Sequence, residues 1–233
     1  MNNSARFPNA SRANILRDLK PEEQSRFIDS CQLRSYKRGS VILNQGDPTS
    51  YMMMIAEGRV EVSYLSETGY QSIIYHAFPG GVLGAVETLS GRPCAGTCKA
   101  LVDTAILMCK RTNLYEMMRS PIFVRNQATD LHDVLVHDNR YKSIDQFFTA
   151  EQKICVYLEK LSAGDATVFM ESQSYLADVV GCSRQTVNKE LGRLRQQGVI
   201  ETTKTGVRIL DYAALSRRLA ELGGGAELRA ATG

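Results

Sequence analysis

The chain has 233 residues, with 28 basic and 25 acidic side chains and a net charge of +3. That length holds one large domain or two modest ones. A content of 43% apolar and 23% charged residues excludes wholesale disorder, and the small net charge excludes a polybasic, histone-like protein. No apolar run approaches the roughly 18 residues needed to cross a bilayer, so a membrane-embedded role is excluded. The first residues, Met1 to Arg6, lack the apolar core of a secretory signal. Six cysteines (Cys31, Cys94, Cys98, Cys109, Cys155 and Cys182) show no paired spacing. Reduced thiols and a cytoplasmic location are the expectation. No Cys/His grouping has zinc spacing, so neither a metal nor a cofactor is expected.

Pro21–Cys31 reads as a helix, with proline near its first position and Glu22 and Glu23 in its first turn. Turn residues then punctuate short runs of strand chemistry: Ser40–Leu43, Tyr51–Ala56, Arg59–Leu65, Ser72–Phe78, Thr97–Val102 and Ala105–Cys109. Val60, Val62 and Tyr64 alternate with Arg59, Glu61 and Ser63, the period of a half-buried strand. Many short strands with glycine turns predict an antiparallel jelly roll over residues 15–120, after an extension of residues 1–14. Pro121 opens a helix of about 27 residues, roughly 40 Å long, running to Phe148. Such a helix outruns a small barrel. Leu131, Val134, Leu135 and Tyr141, with Asp138 near them, form a seam for a second copy of the chain. Glu151–Leu161 is a further amphipathic helix, the compact unit continues to about residue 222, and 223–233 reads as a flexible tail.

The stretch from Ser172 to Ile200 carries most of the functional signal. Ser172 caps a helix that begins near Gln173 and buries Leu176, Val179 and Val180; Gly181 turns the chain, and Ser172, Gln173 and Ser183 are candidate DNA contacts beside the second helix. Ser183 caps a second helix with Val187, Leu191 and Leu194 inward and Arg184, Gln185, Asn188 and Lys189 outward near its start. A helix, a glycine turn and a second helix with base-reading side chains at its start make a helix-turn-helix. Thr203 to Ile209 adds a β-hairpin wing, with Lys204 and Arg208 available to phosphate. The fold class is therefore α+β: jelly roll, long helix, and winged helix-turn-helix over 149–222.

In this order, the chain resembles the Crp/Fnr family of bacterial transcription regulators over about residues 15–218. The likeness rests on Gly39, Gln45-Gly46-Asp47, Tyr51, Ile55, Gly58 and Gly84, and most specifically on Val180-Gly181-Cys182-Ser183-Arg184-Gln185-Thr186-Val187. The resemblance implies a homodimer on a palindromic double-stranded operator, RNA polymerase as a candidate partner, and Arg184, Gln185 and Lys189 as base readers. The middle position is usually Glu in such proteins. Gln185 can donate as well as accept, so adenine becomes readable and the half-site need not be the usual one.

The resemblance also locates an effector pocket at Gly84, Ala85, Val86, Ala95 and Gly96, with Asp138 and Asn139 from the long helix. The family's cyclic-nucleotide binders carry Glu, Arg and Ser where this chain has Ala85, Ala95 and Gly96. Loss of three polar anchors predicts a regulator independent of cyclic AMP. Arg92 could replace the lost arginine only through a register shift. A different small ligand, no ligand, and redox control through Cys94, Cys98 or Cys109 remain alternatives, as does a cyclic nucleotide in a rearranged pocket. An iron–sulfur cluster lacks its N-terminal cysteines, and haem has only the lone His76. An enzyme is not expected: the barrel strands hold one histidine, and Gly80–Gly84 lacks the Lys-Ser/Thr of a phosphate loop.

Overall fold

The computed structural model describes residues 2–67, 69, 71–162, 167–169, 173–203 and 206–221; the side chains of 72, 137, 138, 140–147, 159–162, 167–169 and 173 lie outside that description. The chain divides into two units, Met1–Val136 and His137–Gly233.

The first unit begins with α1 (Asn3–Arg6) and two 3-10 turns, Pro8–Arg12 and Asn14–Leu16, followed by α2 (Pro21–Ser30). In α2 the Glu23 carboxylate reaches back to accept the Lys20 backbone N–H at 3.0 Å, satisfying a donor that the helix cannot. Then come β1 (Gln32–Tyr36), β2 (Val41–Leu43), β3 (Tyr51–Glu57), β4 (Val60–Leu65), β5 (Gln71–Ala77), β6 (Val82–Leu83), α3 (Ala85–Ser90), β7 (Thr97–Ala100), β8 (Thr104–Lys110), α4 (Arg111–Met117) and α5 (Pro121–Phe147). The strands form two antiparallel four-stranded sheets, ordered β1-β8-β3-β6 and β2-β7-β4-β5.

The apolar run at β3 has a simple cause. Met53 and Ile55 pack with Val60, Ala100 and Ile106 between the sheets. Met52, Met54 and Ala56 point the other way, into a second cluster with Ile15, Leu16, Phe27, Leu114 and Phe123. A strand buried on both faces has no polar face to show, so its sequence does not alternate. Phe7, Ala10 and Ala13 belong to that second cluster. The segment before residue 15 is thus part of the core, although its sequence reads as an extension. Asn126 donates to the carbonyls of Ile15 and Arg17 at 3.2 and 2.6 Å, and Phe27 meets Phe123 at 5.9 Å. These contacts fix the first turns of α5 to the N-terminal segment. For that reason the division between units falls inside the long helix, not at its start.

The second unit holds α6 (Ala150–Ser162), β9 (Thr167–Phe169), α7 (Gln173–Val180), α8 (Arg184–Gln196), β10 (Ile200–Thr203), β11 (Gly206–Ile209) and α9 (Tyr212–Glu221). Thr149 and Gln152 cap α6 reciprocally: the Thr149 N–H donates to the Gln152 side chain at 2.7 Å, and the Gln152 N–H to the Thr149 hydroxyl at 3.3 Å. Arg218 of α9 grips Glu151 of α6 through two nitrogens, at 2.8 and 2.6 Å. The hairpin β10–β11 is extended by β9 on its far side.

The strands expected from turn spacing lie within two residues of their ends. Beyond them the structure adds β1, β6, β9, α1, α3, α4 and α9. Residues 223–233 lie outside the described residues.

Candidate nucleic-acid interface and effector cavity

The turn between α7 and α8 is built by one glycine and one serine. Gly181 takes φ +64°, a left-handed conformation that side chains disfavour, while the Cys182 N–H closes back on the Ala177 carbonyl at 3.0 Å. Ser183 has extended backbone and accepts the Thr186 N–H on its hydroxyl at 3.1 Å, which is N-cap geometry. With that start fixed, Val187, Leu191 and Leu194 are buried. Arg184, Gln185, Asn188 and Lys189 are all exposed, on the first two turns of α8.

Below them Glu190 is buried, and the Arg193 guanidinium holds both its oxygens at 3.2 Å. That carboxylate is neutralised inside the unit rather than opposing an incoming phosphate. In the wing, Arg208 is not a bare cation: it pairs with Glu201 at 2.8 Å across the hairpin. Ser172, the Gln173 side chain and Lys204, expected at this interface, lie outside the described residues.

The first unit contains a cavity of about 760 Å³. Gly84, Ala85, Val86, Ala95 and Gly96 all line it. The Gln45-Gly46-Asp47 turn holds its rim in place. Gln45 donates to the Leu65 carbonyl at 2.9 Å and accepts the Leu65 N–H at 2.8 Å. The Gly46 N–H bonds the Cys94 carbonyl at 2.8 Å, and the Cys94 N–H bonds Asp47 at 2.9 Å. Gly96 is tightly placed: a Cβ there would lie 2.8 Å from the Ser63 carbonyl oxygen, closer than packing tolerates.

Further lining residues were not legible beforehand. Glu87 of α3 accepts the Ala95 N–H at 3.2 Å. Gln127, Asp130 and Asp133 come from α5, beside Leu131 and Val134. Gln127 shares the three- and four-residue spacing of Leu131 and Val134, but a polar residue in such a row carries no sequence signal of its own, and neither do Asp130 and Asp133. Burial, then the neighbouring Asp133, raises the Asp130 carboxyl above its ordinary value, against a smaller opposing pull from Arg17. Burial also pushes the Tyr75 phenol up to about 12, helped by Cys98 and Glu87.

Arg92 is exposed and is not among the residues lining the cavity, so it does not stand in for the missing arginine. Asn139 is exposed in the second unit, and the side chains of Asp138 and Tyr141 lie outside the description. Cys94, Cys98 and Cys109 are buried. Burial raises the Cys94 thiol and pushes Cys98 up to about 12, which keeps both as thiols rather than the reactive thiolates.

Residues 33–120 match the cyclic nucleotide-binding domain family, and residues 152–218 match the Crp-like helix-turn-helix domain family. The chain is 26% identical to the cyclic AMP receptor protein of Thermus thermophilus over 203 residues, covering 86% of this chain and 94% of the relative. It is 22% identical to the global nitrogen regulator of Synechococcus elongatus, covering 80% and 89%. The solved structure of FixK2 from Bradyrhizobium japonicum shares its fold at a TM-score of 0.71, with 20% identity over 82% of this chain and 96% of that one. Two successive domain families in this order, on a jelly roll followed by a winged helix-turn-helix, identify the chain as a member of the Crp/Fnr family of transcription regulators, not an enzyme.

Proposed function

We propose that the protein is a cytoplasmic homodimer that reads an inverted-repeat operator in double-stranded DNA and does so without cyclic AMP. One observation carries the reading of DNA: the first two turns of α8 hold Arg184, Gln185, Asn188 and Lys189 exposed while the opposite face is buried. Arginine offers two donors to guanine O6 and N7, and glutamine pairs bidentately with adenine. Phosphate contacts at the wing position the protein without specifying sequence. Homodimerisation is supported by α5, where Leu131, Val134 and Leu135 are 39, 52 and 63% exposed. Independence from cyclic AMP is supported by Ala85, Ala95 and Gly96, which bring no charge or hydroxyl to the cavity.

Selection of bound sequences from random DNA by the purified protein tests the reading. The expected product is an inverted repeat with half-sites about 34–36 Å apart. Arg184→Ala should cost about 1–3 kcal/mol at that site and flatten discrimination at one base pair. An unchanged motif from Arg184→Ala would remove α8 from the base-reading role. Calorimetry with cyclic AMP should show no binding that improves operator affinity. A second reading, control by another small ligand, is favoured by the 760 Å³ cavity, a volume suited to such a ligand.

A further inference from the structure

The polar side chains around the cavity are exposed, already engaged, or kept in their uncharged form. Arg12 and Asp133 are exposed. Glu87 accepts the Ala95 N–H at 3.2 Å, Asp130 has Arg17 as a neighbouring cation, and His76 is buried with a partner in the protein. Tyr75, Cys94 and Cys98 also line the cavity, and burial is the largest cause of the upward shift in each. The same holds for Asp130. Such a wall penalises charge rather than inviting it. Much of the remaining lining is apolar, with Val62, Ile74, Leu83 and Val86 beside the rings of Tyr64 and Phe78.

We propose that this cavity binds an uncharged, largely apolar aromatic molecule, held by contact with its aliphatic and aromatic wall. The proposal rests on the second reading above, of control by a small ligand, and names the class of that ligand. Removal of a ring from water supplies the affinity, and aromatic neighbours add offset or edge-to-face contacts. A phosphate or carboxylate would have to leave water for a wall whose basic residues, among those described, are the exposed Arg12 and the already partnered His76. That loss of solvation goes uncompensated. An ammonium would also lose its water, and the Asp130 carboxyl already has Arg17 beside it. The volume of about 760 Å³ holds a two-ring molecule with space for further substituents.

The test is calorimetry on the full-length protein at neutral pH with three probes built on one ring system: 2-naphthol, 2-naphthoate and 2-naphthylmethylamine. The uncharged 2-naphthol should bind about tenfold or more tighter than either charged probe. Val62→Thr and Ile74→Thr keep a β-branched side chain in the strand and set a hydroxyl on the wall. Water satisfies that hydroxyl in the free cavity and is lost when a ring displaces it, so each variant should weaken 2-naphthol by about fivefold. Melting curves confirm that the variants are folded; where one is not, the other and the ranking of the probes decide. Tighter binding of either charged probe or of cyclic AMP, no 2-naphthol binding up to about millimolar concentration, or folded variants with unaltered affinity would each overturn the proposal. Operator titrations with and without 2-naphthol, on the same preparation, read ligand control separately. Binding with no change in operator affinity would support the class of ligand and overturn the reading of control.

Discussion

At Gly96 a side chain would begin 2.8 Å from the Ser63 carbonyl oxygen, so the backbone itself excludes the serine that related cyclic-nucleotide binders carry. Gly96→Ser should therefore destabilise the folded chain by about 1–3 kcal/mol, read from urea unfolding, rather than restore a phosphate site. Asp130 makes a different prediction. Its pKa is raised in the folded protein, so the folded state holds the proton more tightly than the unfolded chain does. Stability from this group is greatest below the unfolded pKa and falls as pH rises through the interval up to the folded pKa. Asp130→Asn should then be at least as stable as the parent at neutral pH, with the advantage vanishing as the carboxylate range is crossed downwards. Thermal midpoints taken as a function of pH check it. Neither Gln127 nor Asp130 was legible from sequence as part of a site. In a row of residues on one helix, a polar side chain on solvent and one on a cavity are written identically.

Among the elements, α5 bears the heaviest expectation. Its first turns are anchored by Phe123 and Asn126, yet Leu131, Val134 and Leu135 stand exposed a few residues later. Leu131→Asp combined with Leu135→Asp should yield monomers in sedimentation, because unpaired carboxylates buried at a seam cost several kcal/mol. A dimer that survives both changes would move the interface elsewhere. This helix, β4 and the α7–α8 pair were legible because each repeats its period long enough to be counted. β1 was not: Gln32–Tyr36 is an edge strand paired on one side with β8, and its Tyr36 end alone is buried. The short helix α3 was hidden by Gly84 and Gly91, which bound it in left-handed conformation and read in sequence as turns. The wing was legible as a hairpin, but its charge was not. Arg208 and Glu201 lie on different strands, and their pairing depends on the register.

For the molecule as a whole, the division into two units separates a domain with a cavity from a domain with a recognition helix, and the comparisons assign each half to its own family. The jelly roll, the long helix and the winged helix-turn-helix were legible together because their order along the chain is itself a signature. The sign of charge inside the cavity was not, since it depends on which residues of α3 and α5 converge. Leu131 and Val134 have a double placement: they line the cavity and are also exposed on the face proposed to meet a second subunit. Occupancy and association then draw on the same side chains, so the two equilibria are expected to be linked. Whatever factor a bound ligand applies to subunit association, association must return to ligand affinity. Ligand titrations at protein concentrations above and below the dimer dissociation constant should consequently give different apparent affinities. Coincident isotherms would mean that the two equilibria are uncoupled.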